Sequence, residues 1–312
     1  MRKFVILLFI LLVYTTSGYA AEVSKYEMLA GWQFFPYESI FKPLKADPAT
    51  PRMGTGYSYY TSRVYVMRHA LDFALGGAVP LARKDFGATK VEIGAQGLGL
   101  LAFDLDYDTD EIYSDFYLGM PVYVQFTEKF MIMCRCYHRS SHLGDETVQR
   151  LIKSERITID PKTGDIIVIP PGQPNPNGPD DKNETSRVVF DIKRINLSYM
   201  TFDTVLFYQI NETFRIYIGT GWLSDPDPYR YGTSVYQTGA EAEYLLSAST
   251  GAMLFCAFDF RGTAGFAPGI SVKTGFRAFD KTALSLNFYD GPGQAQFFDQ
   301  RVTSYGISFD IY

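Results

Sequence analysis

The chain has 312 residues and a formal net charge of -5, with a sequence pI near 5.3. No basic excess exists to hold a phosphate backbone, so nucleic acid is excluded as a partner. Phe and Tyr number 25 and 23, Gly numbers 27, and mean hydropathy is -0.06; that balance excludes a bundle of apolar membrane helices and suits a wall whose two faces alternate.

The N-terminus reads first. "MRK" is a positive n-region and "FVILLFILLVY" an apolar run of signal-peptide length, short for a helix that spans a bilayer. Gly18 and Ala20 then offer small residues before a cleavage site, so residues 1–20 are set aside as a cleaved signal peptide. Residues 21–51 follow as an N-terminal periplasmic segment, and 52–312 carry the fold.

From residue 52 onward, alternation marks strands in order: "RMGTGYSYY", "HALDFALGGAVP", "TKVEIGAQGLGLLAFD", "YSDFYLGMPVYVQF", "KFMIMCRCYHRSS", "INLSYMTFDTVLFYQI", "FRIYIGTGWL", "YQTGAEAEYLLSA", "AMLFCAFDF", "APGISVKTGFRAF", "ALSLNFYD" and "RVTSYGISFDIY". About twelve strands of roughly 9 to 16 residues fit a tilted barrel wall. Tight turns at 127–129, 211–213, 249–251 and 280–281 alternate with longer connections at 104–112, 142–193, 223–235 and 291–301. Two connections fit less well: 80–88 is long for the tight side and 261–266 is short for the loop side. Outer-membrane barrels sort their connections in this way, with short periplasmic turns and long external loops, whereas a sandwich has no reason to. The predicted fold is all-β: a transmembrane antiparallel up-and-down β-barrel of about twelve strands with one long external loop, 142–193. Within that loop "DETVQRLIKS" predicts a short helix and "ITIDPKTGDIIVI" a small hairpin.

Facing decides which side chains can do chemistry. An arginine on the lipid face near the bilayer midplane costs about 2 to 4 kcal/mol, so Arg135 belongs in the lumen. Parity then sends His138, Ser140 and His142 outward near the external rim. On the next strand, Asp203 and Gln209 in the lumen turn Asn196 and Ser198 outward. Ser140 as nucleophile, His138 as its base and Asn196 as the group orienting the imidazole could therefore stand together on the outer face. Such a site would act on acyl esters of membrane lipids. The alternative is a polar rim on a barrel without catalysis, serving as a narrow pore, an adhesion surface or an envelope structural protein.

His138-Arg139-Ser140 resembles the His-x-Ser pair of the outer-membrane phospholipase A family, with Asn196 matching an Asn on the following strand. It is similar also to the His-x-Ser pair of lipid A deacylases, which work with a Glu, and this implies Glu146 as an alternative third member. A wider likeness rests on "FKPLKADPATPR", "FDLDYDTDEIYSDFYLGMPV", "YHRSSHLGDE" and "INLSY". These segments resemble a bacterial outer-membrane barrel family known as a domain of unknown function, which implies a barrel and no particular reaction. Residues 155–187 exceed that family's pattern.

Remaining signals are metals, thiols and the end of the chain. Asp104, Asp106, Asp108 and Asp110, with Asp115 at the twelfth position, are spaced as in an EF-hand loop. Thr109 replaces the turn glycine and Asp115 the bidentate Glu, leaving a loose divalent-cation site at the rim or a solvated acidic loop; no cofactor is predicted. His138 and His142 lie roughly 13 Å apart along a strand, too far to share zinc. Cys134 and Cys136 share a face and cannot readily bridge each other, and with Cys256 they read as small apolar fillers. Tyr305, Ile307, Phe309 and Ile311 form an apolar face on the last strand, while Tyr312 falls on the other parity. Expected partners are outer-membrane lipids, the barrel-assembly machinery and a second copy of the chain, since a site on the outer wall could be completed by a neighbour.

Overall fold

The computed structural model describes residues 31–61, 68–106, 108–144, 147, 157–159, 166–168, 197–227, 233–265, 267–278, 281–293 and 301–312. The predicted signal peptide therefore lies outside the described residues. So does the predicted helix of the long loop, except for Thr147, which is helical.

Twelve strands form one closed antiparallel wall: β2 (Met53–Tyr60), β3 (His69–Phe86), β4 (Thr89–Asp104), β5 (Glu111–Gln125), β6 (Phe130–Leu143), β9 (Leu197–Gln209), β10 (Phe214–Asp227), β11 (Ser234–Ser247), β12 (Ala252–Thr263), β13 (Gly269–Ala278), β14 (Thr282–Pro292) and β15 (Arg301–Ile311). Each pairs with its neighbour in sequence, and β15 closes on β2 from Ser304↔Tyr60 to Ile311↔Met53. Closure leaves no open sheet edge in the wall. A short strand, β1 (Trp32–Phe34), adds to the tight-turn end of β3, opposite Ala82–Lys84. The small hairpin expected in the long loop is present as β7 (Ile157–Ile159) paired with β8 (Ile166–Val168).

All twelve expected strands occur, with two connections redrawn. The segment 80–88 is not a long connection. β3 runs on to Phe86 and absorbs Pro80, which has no N–H for the ladder, through a register shift between Pro80 and Ala82. The turn itself is Gly87-Ala88, with Gly87 at φ 71. At the other end, β12 runs to Thr263 and the connection to β13 falls at 264–268. Local bonds hold other tight turns: Thr127 Oγ1 accepts the N–H of Phe130 at 3.1 Å, and Asn211 Oδ1 that of Phe214 at 2.9 Å.

The alternation is what a barrel wall requires. Met133, Arg135, Tyr137 and Ser141 on β6 are buried, while Cys134 and His138 are exposed. On β9, Asp203, Val205 and Phe207 are buried, while Leu206 and Tyr208 are exposed. On β15, Tyr305, Ile307, Phe309 and Ile311 are exposed and Asp310 is buried. A buried face this polar beside an exposed face this apolar inverts a soluble protein and matches a membrane barrel. The three cysteines are free, with Cys134 and Cys256 exposed on the outer wall.

The interior is not empty. Residues 38–51 of the segment expected in the periplasm, together with Arg52, thread into the lumen, where Leu44, Ala46 and Asp47 are buried. Leu44 packs with Tyr123, Met133, Val205, Phe207 and Tyr217, and Phe41 stacks on Tyr123 with centroids 4.7 Å apart. Arg135 reaches Asp203 through two bonds of 2.9 and 2.7 Å and Asp47 at 3.5 Å. Arg261 adds a second cation at 3.4 Å from Asp47. Buried charges persist only when paired in this way.

Candidate functional site

The outer face of β6 carries the candidate residues, and its neighbours fix their surroundings. In register, Ser140 stands between Phe116 on β5 and Ser198 on β9, while His138 stands between Leu118 and Met200. Phe116, Leu118 and Met120 are among the exposed apolar side chains of this face. His142 lies opposite Ser114, which is buried, and its ring is 6.5 Å from that of Phe116. The polar groups thus form a small island in an apolar wall, more sheltered towards the rim.

Hydrogen bonding within the island differs from the pairing expected from His-x-Ser. Ser140 Oγ lies 3.1 Å from His142 Nε2. His138 Nε2 lies 3.4 Å from Ser198 Oγ across the strand boundary. Ser140 and His138 do share the outer face, but Ser140 has His142 as its partner and His138 has Ser198. The reason is geometric: both histidines are two residues from Ser140 on the same face, so spacing alone cannot choose between them. His142 was expected on the outer face near the rim but not among the catalytic residues. The signal was present as "SSH", whose Ser-x-His spacing equals that of "HRS". Ser198 was legible as an outward residue but not as a histidine partner. Asn196 and Glu146 lie outside the described residues.

The lumen side of the same strand holds the island's backbone in place. Arg139 Nη2 donates to Asp115 Oδ2 at 2.6 Å and Nη1 to the Tyr199 hydroxyl at 2.8 Å. Asp115, fully buried, also accepts the Ser141 hydroxyl. β5, β6 and β9 are therefore cross-linked directly behind Ser140, which limits the movement of the outer side chains.

The acidic segment does not converge. Asp104 is buried at the end of β4. Asp106 accepts the N–H groups of Arg68 and His69 at 2.6 and 3.1 Å. Partial desolvation raises the Asp106 pKa, but these bonds and the neighbouring His69 and Arg68 outweigh it and hold the carboxyl below its ordinary range. Asp108 and Thr109 turn the chain at φ 39 and 58. Among the described residues, no group of three or more His, Cys, Asp or Glu side chains is placed to hold a metal ion.

Comparison with known proteins agrees with the architecture. Residues 17–168 match the family model described as "Protein of unknown function (DUF1207)". The Salmonella typhi outer membrane phospholipase, a dimer with bound calcium, superposes with a TM-score of 0.52 at 12% identity, over 85% of this chain and 94% of that one. Outer membrane phospholipase A from Escherichia coli gives a TM-score of 0.52 at 11% identity, over 84% and 96%. At these identities the likeness is one of fold, that of an outer-membrane β-barrel. Among curated proteins, none matches.

Proposed function

We propose that this chain resides in the bacterial outer membrane and hydrolyses acyl esters of membrane lipids, with Ser140 as nucleophile and His142 as its base. One observation carries the reading: a serine hydroxyl 3.1 Å from an imidazole nitrogen, on the face of the wall that lipid would cover. Solvated serine hydroxyls are poor nucleophiles, and an adjacent imidazole is the usual means of activating one. In the reaction, Ser140 Oγ attacks the ester carbonyl carbon while His142 takes its proton. The tetrahedral species collapses, the proton passes to the departing alcohol, and an acyl-serine remains. Water then attacks that ester with the same imidazole as base, releasing a fatty acid and restoring the serine. His138, bonded to Ser198, is a second basic group beside the ester. Asn196 enters the proposal from the sequence alone. The neighbours named as phospholipases share the fold, which is compatible with this reading without supplying its chemistry.

Purified wild type, Ser140→Ala, His142→Ala and His138→Ala in mixed micelles of detergent and phospholipid separate the roles. Ser140→Ala and His142→Ala should each reduce fatty-acid release by at least about a hundredfold, the order expected when one member of such a unit is removed. His138→Ala should retain most of the rate. Equal release by wild type and Ser140→Ala would refute the hydrolase, and loss in Ser140→Ala and His138→Ala with His142→Ala retaining the rate would move the base to His138.

A further inference from the structure

We propose that residues 38–52 are a withdrawable plug, and that the barrel conducts inorganic ions and small hydrophilic solutes when this strap leaves the lumen. The inference concerns the inside of the barrel and is independent of the site on its outer wall.

The first observation is how the strap is held. Residues 35–52 contribute no strand to the wall, as Pro36, Pro43, Pro48 and Pro51 would dictate, since each lacks an N–H for a ladder. Wall side chains satisfy the strap's backbone instead. Glu92 accepts the N–H of Ile40 at 3.2 Å, and Glu241 that of Lys45 at 2.5 Å. Arg215 donates to the carbonyls of Lys42 at 2.9 Å and Pro43 at 3.3 Å. Every such hold can be released while the barrel ladder stays intact.

The second observation is the charge arrangement. Asp47, at the tip, has no exposed side-chain surface and lies within 3.5 and 3.4 Å of Arg135 and Arg261. Lys45 pairs with Glu243 at 2.5 Å, and Arg52 with Asp310 at 3.2 Å. Three charges of the strap thus complement three regions of the wall. Without the strap, Arg135 and Arg261 would still face Asp203, and Lys273 would still face Asp310. The lumen can therefore be rehydrated without stranding a charge.

The third observation is space. Cavities of about 120 and 170 Å³ both reach Asp47 and Pro48, so water-sized room already borders the tip. β1, paired to β3 just before the strap begins, would keep a withdrawn strap tethered at the tight-turn end.

The test reconstitutes full-length wild type and the Lys45→Ala/Asp47→Ala variant in planar bilayers in potassium chloride. Removing one partner from a buried pair generally costs enough to shift a two-state balance by about a hundredfold or more. Wild type should be closed almost all the time, and the variant's open probability should rise by about that factor. A variant with native circular dichroism that stays as silent as wild type overturns the proposal, as does a wild type that already conducts like the variant. A second measurement avoids disturbing the pairs: Ala46→Cys, made in a chain whose three native cysteines are replaced. Ala46 is 3% exposed, so a withdrawable strap should react with a charged maleimide slowly but measurably while the barrel stays folded. A residue 46 thiol that stays unreactive until the barrel unfolds overturns the proposal. Ser140→Ala should change neither readout, so failure of the hydrolase reading would not carry over.

Discussion

The buried pair between Arg135 and Asp203 is the sharpest test of the lumen described here. The two residues are direct cross-strand partners on β6 and β9, and the guanidinium meets the carboxylate as a fork at 2.9 and 2.7 Å. Their side chains are 4% and 5% exposed. Truncating one member of such a pair costs about 3 to 5 kcal/mol, because the other is left buried without its partner. Neighbours soften that here. Arg135→Ala leaves Asp203 with Arg261 at 3.8 Å, and Asp203→Ala leaves Arg135 with Asp47 at 3.5 Å, so each single change should cost about 3 kcal/mol. Arg135→Ala/Asp203→Ala removes both charges together and should cost less than the two singles combined, giving a coupling of at least about 2 kcal/mol. The assay is reversible urea unfolding in micelles or vesicles, followed by tryptophan fluorescence. Arg301 and Asp290 provide the control, since Arg301's side chain is 51% exposed and such pairs contribute about 0 to 1 kcal/mol. A coupling below about 0.5 kcal/mol for Arg135 and Asp203 would refute the reasoning, because the lumen would then be solvating the pair like bulk water.

Two other perturbations address the wall. Leu118 is 70% exposed near the middle of β5, so Leu118→Arg should lower stability by about 2 to 4 kcal/mol in a bilayer; an unchanged urea midpoint in vesicles would mean this face does not meet lipid. Gly119 faces Tyr137, and an added Cβ would lie 2.4 Å from the Tyr137 Cβ and 2.6 Å from the Cys136 carbonyl oxygen. Gly119→Ala should therefore force β5 from β6 at a cost of about 1 to 3 kcal/mol and slow fatty-acid release through the displaced strand, whereas native stability and rate would show that the strands yield freely.

The wall was legible because one physical rule is repeated at every position along each strand. A side chain in β structure has two faces to choose from, and Arg135 or Asp203 fixes the choice for its neighbours. The sequence was less informative where that rule stops. Pro80 looked like the start of a loop because proline usually ends pairing, yet a single bulge let β3 continue for another six residues, to Phe86. Most of the strap falls in the segment expected in the periplasm; its three prolines argue against a strand, and nothing local says where a non-strand segment goes. Its destination is set by long-range partners such as Glu241, which accepts the Lys45 N–H from 196 positions away, and no periodicity encodes that.

At the candidate site, parity was right and insufficient. It put His138, Ser140 and His142 on one face, which a slip of one residue would have reversed. It could not rank the two histidines, because both are two positions from the serine. That choice lies in the neighbouring strands: Ser198, directly across from Ser140 on β9, takes His138, and His142 is left to the serine. The island therefore works as two coupled pairs. Ser198→Ala would free His138 to compete for Ser140, and a changed rate of fatty-acid release would report that competition, because the Ser198 hydroxyl is bonded to His138 and the Ser140 hydroxyl to His142.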